Sequence, residues 1–288
     1  MEMRKIGVVV LNYNNFEDTL ICIESILAQM SVDVKLVVVD NGSTNNSFEI
    51  IKKAFGEKEN VIVLKNKTNL GYAKGNNVGI KYLIQAEYKY IFVANSDIKF
   101  ESADILYKLV NDDENRVGIL VPIIKNNDGS IERRVAYRKK WFTLRMIRSF
   151  IRSQLELLGM IIPEQESNKD IRIKENYKEK IGLQKECYIV SGSGFMLTER
   201  FTHIYNQLFP GTFLYGEEWA TMIYLHKARL LSKVVDTGII LHRGAASTPS
   251  NLKEYKPKMI LKAQSARKIF KLNFMNSKLI RKKYNFKN

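Results

Sequence analysis

Cysteine is scarce: Cys22 and Cys187 are the two in 288 residues, with no C-x-x-C spacing and no Cys/His pairing. That excludes a zinc ribbon and a disulfide framework and suits a reducing compartment. Long apolar runs are missing too. None approaches the roughly 20 residues that a bilayer-spanning helix needs, and the Ile6–Leu11 run is too short for a signal h-region. The expected location is therefore cytoplasmic. With 5 Pro and 16 Gly, collagen-like, mucin-like and wholly disordered chains are excluded. The usual nucleotide fingerprints are also absent: no G-x-G-x-x-G follows the first apolar run, and no G-x-x-x-x-G-K-[ST] occurs anywhere. What is present is a chain 45% hydrophobic and 26% charged, long enough for one large or two small packed domains.

Acidic residues are missing from two stretches, and these carry the net charge of +16. Arg133 to Leu155 holds eight basic residues and no acid, and Ser250 to Asn288 holds twelve basic residues and the single acid Glu254. The remainder has 26 basic against 29 acidic residues, so the body is close to neutral.

The first 125 residues alternate buried-strand and helical patterns. Ile6–Leu11, Val34–Val39, Val61–Leu64 and Tyr90–Ala94 are apolar without polar alternation, and Phe16–Gln29, Phe48–Phe55 and Ala73–Ile84 between them have helical spacing. This predicts an α/β fold with a mostly parallel sheet covered on both faces. Asn127-Asp128-Gly129 predicts a hairpin between Val121–Ile124 and Ile131–Val135. Trp141–Met160 reads as a basic amphipathic helix, with Leu144, Ile147, Ile151, Leu155 and Leu158 beside Arg145, Arg148 and Arg152. Gln165–Lys180 reads as a charged loop or lid. Tyr188–Val190, Gly194–Leu197 and Val234–Leu241 resume strand character, and Glu217–Ala228 is helical.

In open α/β sheets ligands collect beyond the carboxyl ends of the strands. Here those ends are polar: Asn12-Tyr13-Asn14-Asn15, Asp40-Asn41-Gly42-Ser43 and Asn95-Ser96-Asp97. Any one set is ordinary turn composition, but three at strand ends point to a site. Asn69-Leu70-Gly71-Tyr72-Ala73-Lys74-Gly75 opens a helix, and its amides with Lys74 can face a diphosphate.

These segments, with Gly192-Ser193-Gly194-Phe195-Met196, Tyr215-Gly216-Glu217-Glu218 and His242-Arg243-Gly244, stand in the order found in family 2 glycosyltransferases. From about residue 6 to about 248 the chain resembles that family, in its rhamnosyltransferase-like branch. The resemblance implies a GT-A fold with a nucleotide-sugar-binding half over 1–125, an acceptor-binding and catalytic half over 126–249, and a basic C-terminal tail over 250–288. It implies a UDP- or dTDP-sugar donor, a divalent ion (Mn²⁺ or Mg²⁺) and inversion at the anomeric carbon. On the donor side it sets Asn12, Tyr13, Asn14, Asp40, Gly71, Lys74, Asn95, Ser96 and Asp97. Asp40 would accept from the pyrimidine N3–H and Tyr13 would lie against the base.

Asp97 matches the last acid of the family's D-x-D motif, whose first acid is Asn95 here, so metal binding is expected to rest on Asp97, His242 and the diphosphate. The family's usual Glu-Asp pair is Glu217-Glu218, which makes Glu218 the general base and Glu217 the lesser candidate. Gly192, Ser193 and Gly194 would floor the acceptor side, with Trp219 stacking on an acceptor sugar or buried.

The implied reaction transfers a hexosyl group, rhamnosyl or galactosyl among the open choices, to a saccharide acceptor. A lipid diphosphate-linked acceptor in bacterial-type cell-surface polysaccharide synthesis would fit the basic stretches, which suit the anionic inner face of the cell membrane. Two other readings compete. A nucleic-acid-binding protein fits the pI of about 9.6, yet no such motif is present and no nucleic acid is expected. A sugar nucleotidylyltransferase would need a Gly- and Arg-rich N-terminal loop where Asn12-Tyr13-Asn14-Asn15 stands.

Overall fold

A computed structural model describes residues 3–132, 139–160, 191–244, 252–284 and 286. The expected lid over 165–180, the strand over 188–190 and residues 133–135 of the hairpin's far arm lie outside these residues.

Strand and helix alternate at first: β1 (Arg4–Asn12), α1 (Phe16–Leu27), β2 (Val32–Asp40), α2 (Ser47–Phe55), β3 (Val61–Lys65), α3 (Tyr72–Gln85) and β4 (Tyr90–Asn95). A mixed region follows: β5 (Ile98–Phe100), α4 (Ile105–Asn111), β6 (Val117–Asn126), α5 (Lys139–Leu157), β7 (Gly194–Leu197) and α6 (Glu199–Ile204). The chain continues through α7 (Glu217–Ala228), β8 (Leu231–His242), α8 (Leu252–Asn273) and α9 (Ser277–Lys283).

Among the described residues eight strands form one sheet, ordered β3-β2-β1-β4-β7-β6-β8-β5. β1 to β4 are mutually parallel, as the unbroken apolar runs require. β7 enters antiparallel between β4 and β6, β8 runs parallel to β6, and β5 closes the edge antiparallel to β8. Successive strand side chains face opposite layers. On β1, Ile6, Val8 and Val10 pack with Ile23 and Ile26 of α1, Ile51 of α2 and Leu106 of α4, while Val9 packs with Ile80 of α3, Ile223 of α7 and Ile269 of α8. A strand buried on both faces cannot alternate with polar residues, which is why the sequence shows none.

Among the described residues the near arm of the hairpin is β6, and Ile131 pairs antiparallel with Lys125. The turn itself forms: the Asn126 N–H donates to Ser130 O at 2.8 Å and the Glu132 N–H to Ile124 O at 2.9 Å. The basic C-terminal stretch is folded into the body. Ile269, Leu272, Ile280 and Phe286 join the same core layer as α7, and Tyr205 stacks on Tyr224 at 4.2 Å with Phe286 edge-on to both. α5 lies on α8 through Phe150 stacked on Phe270 at 4.6 Å and Gln154 donating to Ala263 O at 3.1 Å. The apolar side expected of α5 is therefore divided. Ile147 and Leu155 are half-buried, whereas Leu144, Ile151 and, just past the helix end, Leu158 stay exposed. No described helix is long and apolar enough to cross a membrane.

Candidate active site

Parallel pairing of β1 with β2 and β4 brings the polar strand ends together, with Asn12 opposite Asp40 and Leu11 opposite Asn95. Asp40 is fully buried and already engaged. Asn12 Nδ2 donates to its Oδ2 at 2.8 Å, and the Ser43 N–H donates to its Oδ1 at 3.0 Å. Thr19 donates to Asn12 Oδ1 at 2.9 Å and so fixes the amide's orientation. Each Asp40 oxygen keeps a second lone pair for a further donor. Tyr13, the next residue after Asn12, is 44% exposed. Asn14, in the left-handed region at φ 56°, accepts from the Thr44 N–H at 2.8 Å, which ties the first loop to the second.

The glycine loop departs from expectation. The Leu70 N–H is taken by Asn41 Oδ1 at 3.1 Å, the Gly71 N–H by Asn69 Oδ1 at 2.8 Å, and the Tyr72 N–H by Phe213 O at 2.9 Å. These amides are spent inside the protein and do not face a diphosphate. Gly71 instead permits contact with the 213 loop: at φ +80° its Cβ would fall 2.3 Å from Phe213 O. Lys74, in the first turn of α3, is exposed.

Asn95-Ser96-Asp97 forms the tight turn between β4 and β5, and pairing of β5 with β8 returns His242 to Asp97 across 145 residues. His242 Nε2 lies 3.2 Å from Asp97 Oδ2, and its Nδ1 lies 2.6 Å from Glu132 Oε1. Hydrogen bonds to Asp97 and then Glu132 outweigh burial and raise the His242 pKa to about 10. Burial pushes the Glu132 carboxyl up, but donation from His242, Ser191 and Ser193 prevails and leaves its pKa lowered.

Sequence reasoning missed Glu132. The Asn127-Asp128-Gly129 turn was the available signal, because it folds the chain back toward the end of β8.

Among the described residues no group of three or more His, Cys, Asp or Glu side chains is arranged to hold a metal ion. The pair Asp97 and His242 fits as two neighbouring ligands, because atoms each about 2.1 Å from an octahedral ion lie about 3 Å apart. Such a site is completed by oxygens from outside the protein, as a diphosphate supplies. Glu132 sits on the opposite ring nitrogen and takes no part in that pair.

Ser193 joins the end of β4 to Glu132. Its carbonyl accepts from the Asn95 N–H at 2.9 Å, and its hydroxyl donates to Glu132 Oε1 at 2.7 Å. Ser191 donates to Glu132 Oε2. Gly194 starts β7 opposite Ala94. Gly192 is where the second acid approaches: a Cβ on it would stand 3.1 Å from Glu218 Oε1.

Tyr72, Gly192, Phe195, Glu217, Glu218 and Thr221 line a small recess. Burial raises the Glu218 pKa, with the Glu132 charge adding to it. Burial likewise pushes Glu217 up to about 7, and its Oε1 is buried without a hydrogen-bond partner. Trp219 is partly buried against the core, which fits the packing alternative for it.

The mixed sheet with this cluster at its strand ends is the GT-A glycosyltransferase fold. The mannosyltransferase PcManGT from Pyrobaculum calidifontis, solved with GDP-Man and Mn²⁺, has it at TM-score 0.54 and 10% identity, over 98% of this chain and 73% of that one. Residues 7–170, more than half of the chain, match the Glycosyl transferase family 2 model, and the chain belongs to that family. GlyG from Streptococcus pneumoniae is 34% identical over 109 residues, covering 37% of this chain and 35% of GlyG. The teichoic acid poly(glycerol phosphate) polymerase of Staphylococcus epidermidis is 28% identical over 122 residues, 42% of this chain and 16% of the polymerase. These matches span about a third or less of the relatives' own lengths.

Proposed function

We propose that this chain transfers a hexosyl group, with inversion, from a nucleoside diphosphate sugar to a hydroxyl of a saccharide acceptor. The observation that carries the reading is the Gly192-Ser193-Gly194 segment, which has Glu218 against Gly192 and the Asp97–His242 pair linked through Glu132 to Ser193. A base on one side and diphosphate-holding groups on the other are what a direct displacement requires.

Glu218 takes the proton of the acceptor hydroxyl as that oxygen bonds to the anomeric carbon and the bond from that carbon to the diphosphate oxygen breaks. Its raised pKa makes it the stronger base. Lys74 offsets charge on the departing diphosphate. Asp97 and His242 would hold a divalent ion, which when bound supplies positive charge to the same oxygens. Asp40 and Tyr13 receive the base, a pyrimidine in this reading, and Trp219 backs the acceptor side.

The acceptor in this reading is lipid-linked and belongs to a bacterial cell-surface polymer, in keeping with the polymer named for the Staphylococcus relative. Docking on the anionic inner face of the membrane is supported by exposed Leu144 and Ile151 beside exposed Arg148 on α5, by exposed Leu158 just past its end, and by the basic residues of α8 and α9. Arg152 contributes less, because it is paired with Glu156 at 2.8 Å.

A screen of UDP-, dTDP- and GDP-sugars with Mn²⁺ or Mg²⁺, read by donor hydrolysis and thermal stabilisation, tests the reading. One sugar nucleotide should be hydrolysed slowly and raise the melting temperature. Response to none of them, or consumption of nucleoside triphosphates instead, refutes it.

A further inference from the structure

Glu132 lies outside every strand-end segment, yet it contacts the site from two directions. Its Oε1 is 2.6 Å from His242 Nδ1 and accepts from Ser193 Oγ at 2.7 Å, and its Oε2 accepts from Ser191 Oγ. His242 turns its other nitrogen to Asp97 at 3.2 Å. An imidazole held by a carboxylate at one nitrogen has its tautomer and ring plane fixed, which leaves the other nitrogen as the ligand atom. The two serines in turn hold the carboxylate, and Ser193 is tied by its carbonyl to the Asn95 N–H beside Asp97.

We propose that Glu132 is the positioning residue that sets His242 as a metal ligand and ties that ligand to the Ser191–Gly194 segment. The proposal rests on the reading that Asp97 and His242 hold the cation. Glu132 acts through His242, Ser191 and Ser193, the side chains it contacts. Its hydrogen bond to Nδ1 fixes the ring plane and leaves Nε2, on the Asp97 side, as the atom that would face a cation.

The test measures Mn²⁺ affinity in the presence of UDP, by the electron paramagnetic resonance of free Mn²⁺, together with the imidazole nitrogen modulation of the bound-Mn²⁺ echo. Glu132→Ala should weaken Mn²⁺ binding by roughly 10- to 100-fold and diminish the nitrogen modulation. Glu132→Gln, whose amide oxygen can still accept from Nδ1–H, should restore most of both. In a His242→Ala background, Glu132→Ala should cause no further loss.

Should Glu132→Ala fail to fold, Glu132→Met fills the space without accepting a hydrogen bond and carries the same expectation. Unchanged affinity and modulation in Glu132→Ala, with His242→Ala weakened, overturns the positioning role alone. Unchanged affinity in both Asp97→Ala and His242→Ala overturns the cation reading, and this proposal with it.

Discussion

The Tyr72 hydroxyl donates to the Gly192 carbonyl at 2.6 Å, joining residues 120 apart in sequence. Tyr72 opens α3, and Gly192 is the residue against which Glu218 rests. Burial first, then the charges of Glu218, Glu217 and Glu132, raise the phenol well above its ordinary pKa, so it remains a donor across the working range. One hydrogen bond thus fixes the spacing between the start of α3 and the Gly192 segment beside the proposed base.

Tyr72→Phe should therefore cost about 1 kcal/mol of stability, as one lost buried hydrogen bond does. It should also lower kcat more than it raises donor KM. Urea unfolding with steady-state kinetics checks both, and a variant equal to the parent in each would remove the bond from the mechanism.

Glu218→Gln should keep donor affinity and lose roughly 10²- to 10⁴-fold in turnover, the usual cost of a missing general base. Glu217→Gln should lose far less. The reverse order in a transfer assay would exchange their roles.

The pH dependence follows from burial of these acids. Glu217 is raised from 4.5 to about 7, so the folded state retains a proton that the unfolded chain releases. That contribution to stability is complete below the unfolded pKa and is lost as pH rises through 7. Glu217→Gln should melt higher than the parent, by a margin that grows between pH 5 and pH 8; a constant margin would contradict the burial argument. Because Glu218 is raised too, the ascending limb of activity should lie above the ordinary glutamate value of about 4.3.

Asp40→Ala should weaken both UDP and dTDP binding in titration calorimetry. It should also lower stability, because Asn12 Nδ2 and the Ser43 N–H lose their acceptor. Loss of stability with unchanged nucleotide affinity would assign Asp40 to the framework alone.

Sedimentation with vesicles should rise with anionic lipid and fall with salt, since charges farther apart than about 8 Å are screened at physiological ionic strength. Replacing Leu144, Arg148 and Ile151 with Ser should weaken sedimentation and spare donor hydrolysis in solution. Salt-independent or absent sedimentation would exclude the membrane.

Much of this was legible in the chain because it is local. Unbroken apolar runs predict parallel strands, and turn formers placed after them put Asn12, Asp40 and Asn95 on one rim once β1, β2 and β4 pair. β5 was missed because its three residues acquire strand form only by pairing with β8. Glu132 was missed because Ile131-Glu132-Arg133-Arg134 reads as the start of a charged stretch, and its partners lie 59 to 110 residues onward. The C-terminal stretch read as a tail because its lysines mask the spacing of Ile269, Leu272 and Ile280, the side chains that bury it.

α8 also bears on the acids from behind. Ser265 Oγ donates to Leu214 O at 2.7 Å, and a Cβ on Gly216 would fall 2.3 Å from Ile269 Cδ1, so the loop that opens α7 is seated on this helix. Cutting the chain before residue 252 to lower its positive charge and ease purification would take away that seat. The solubility of a shortened protein would come at the expense of the loop that aims Glu217 and Glu218.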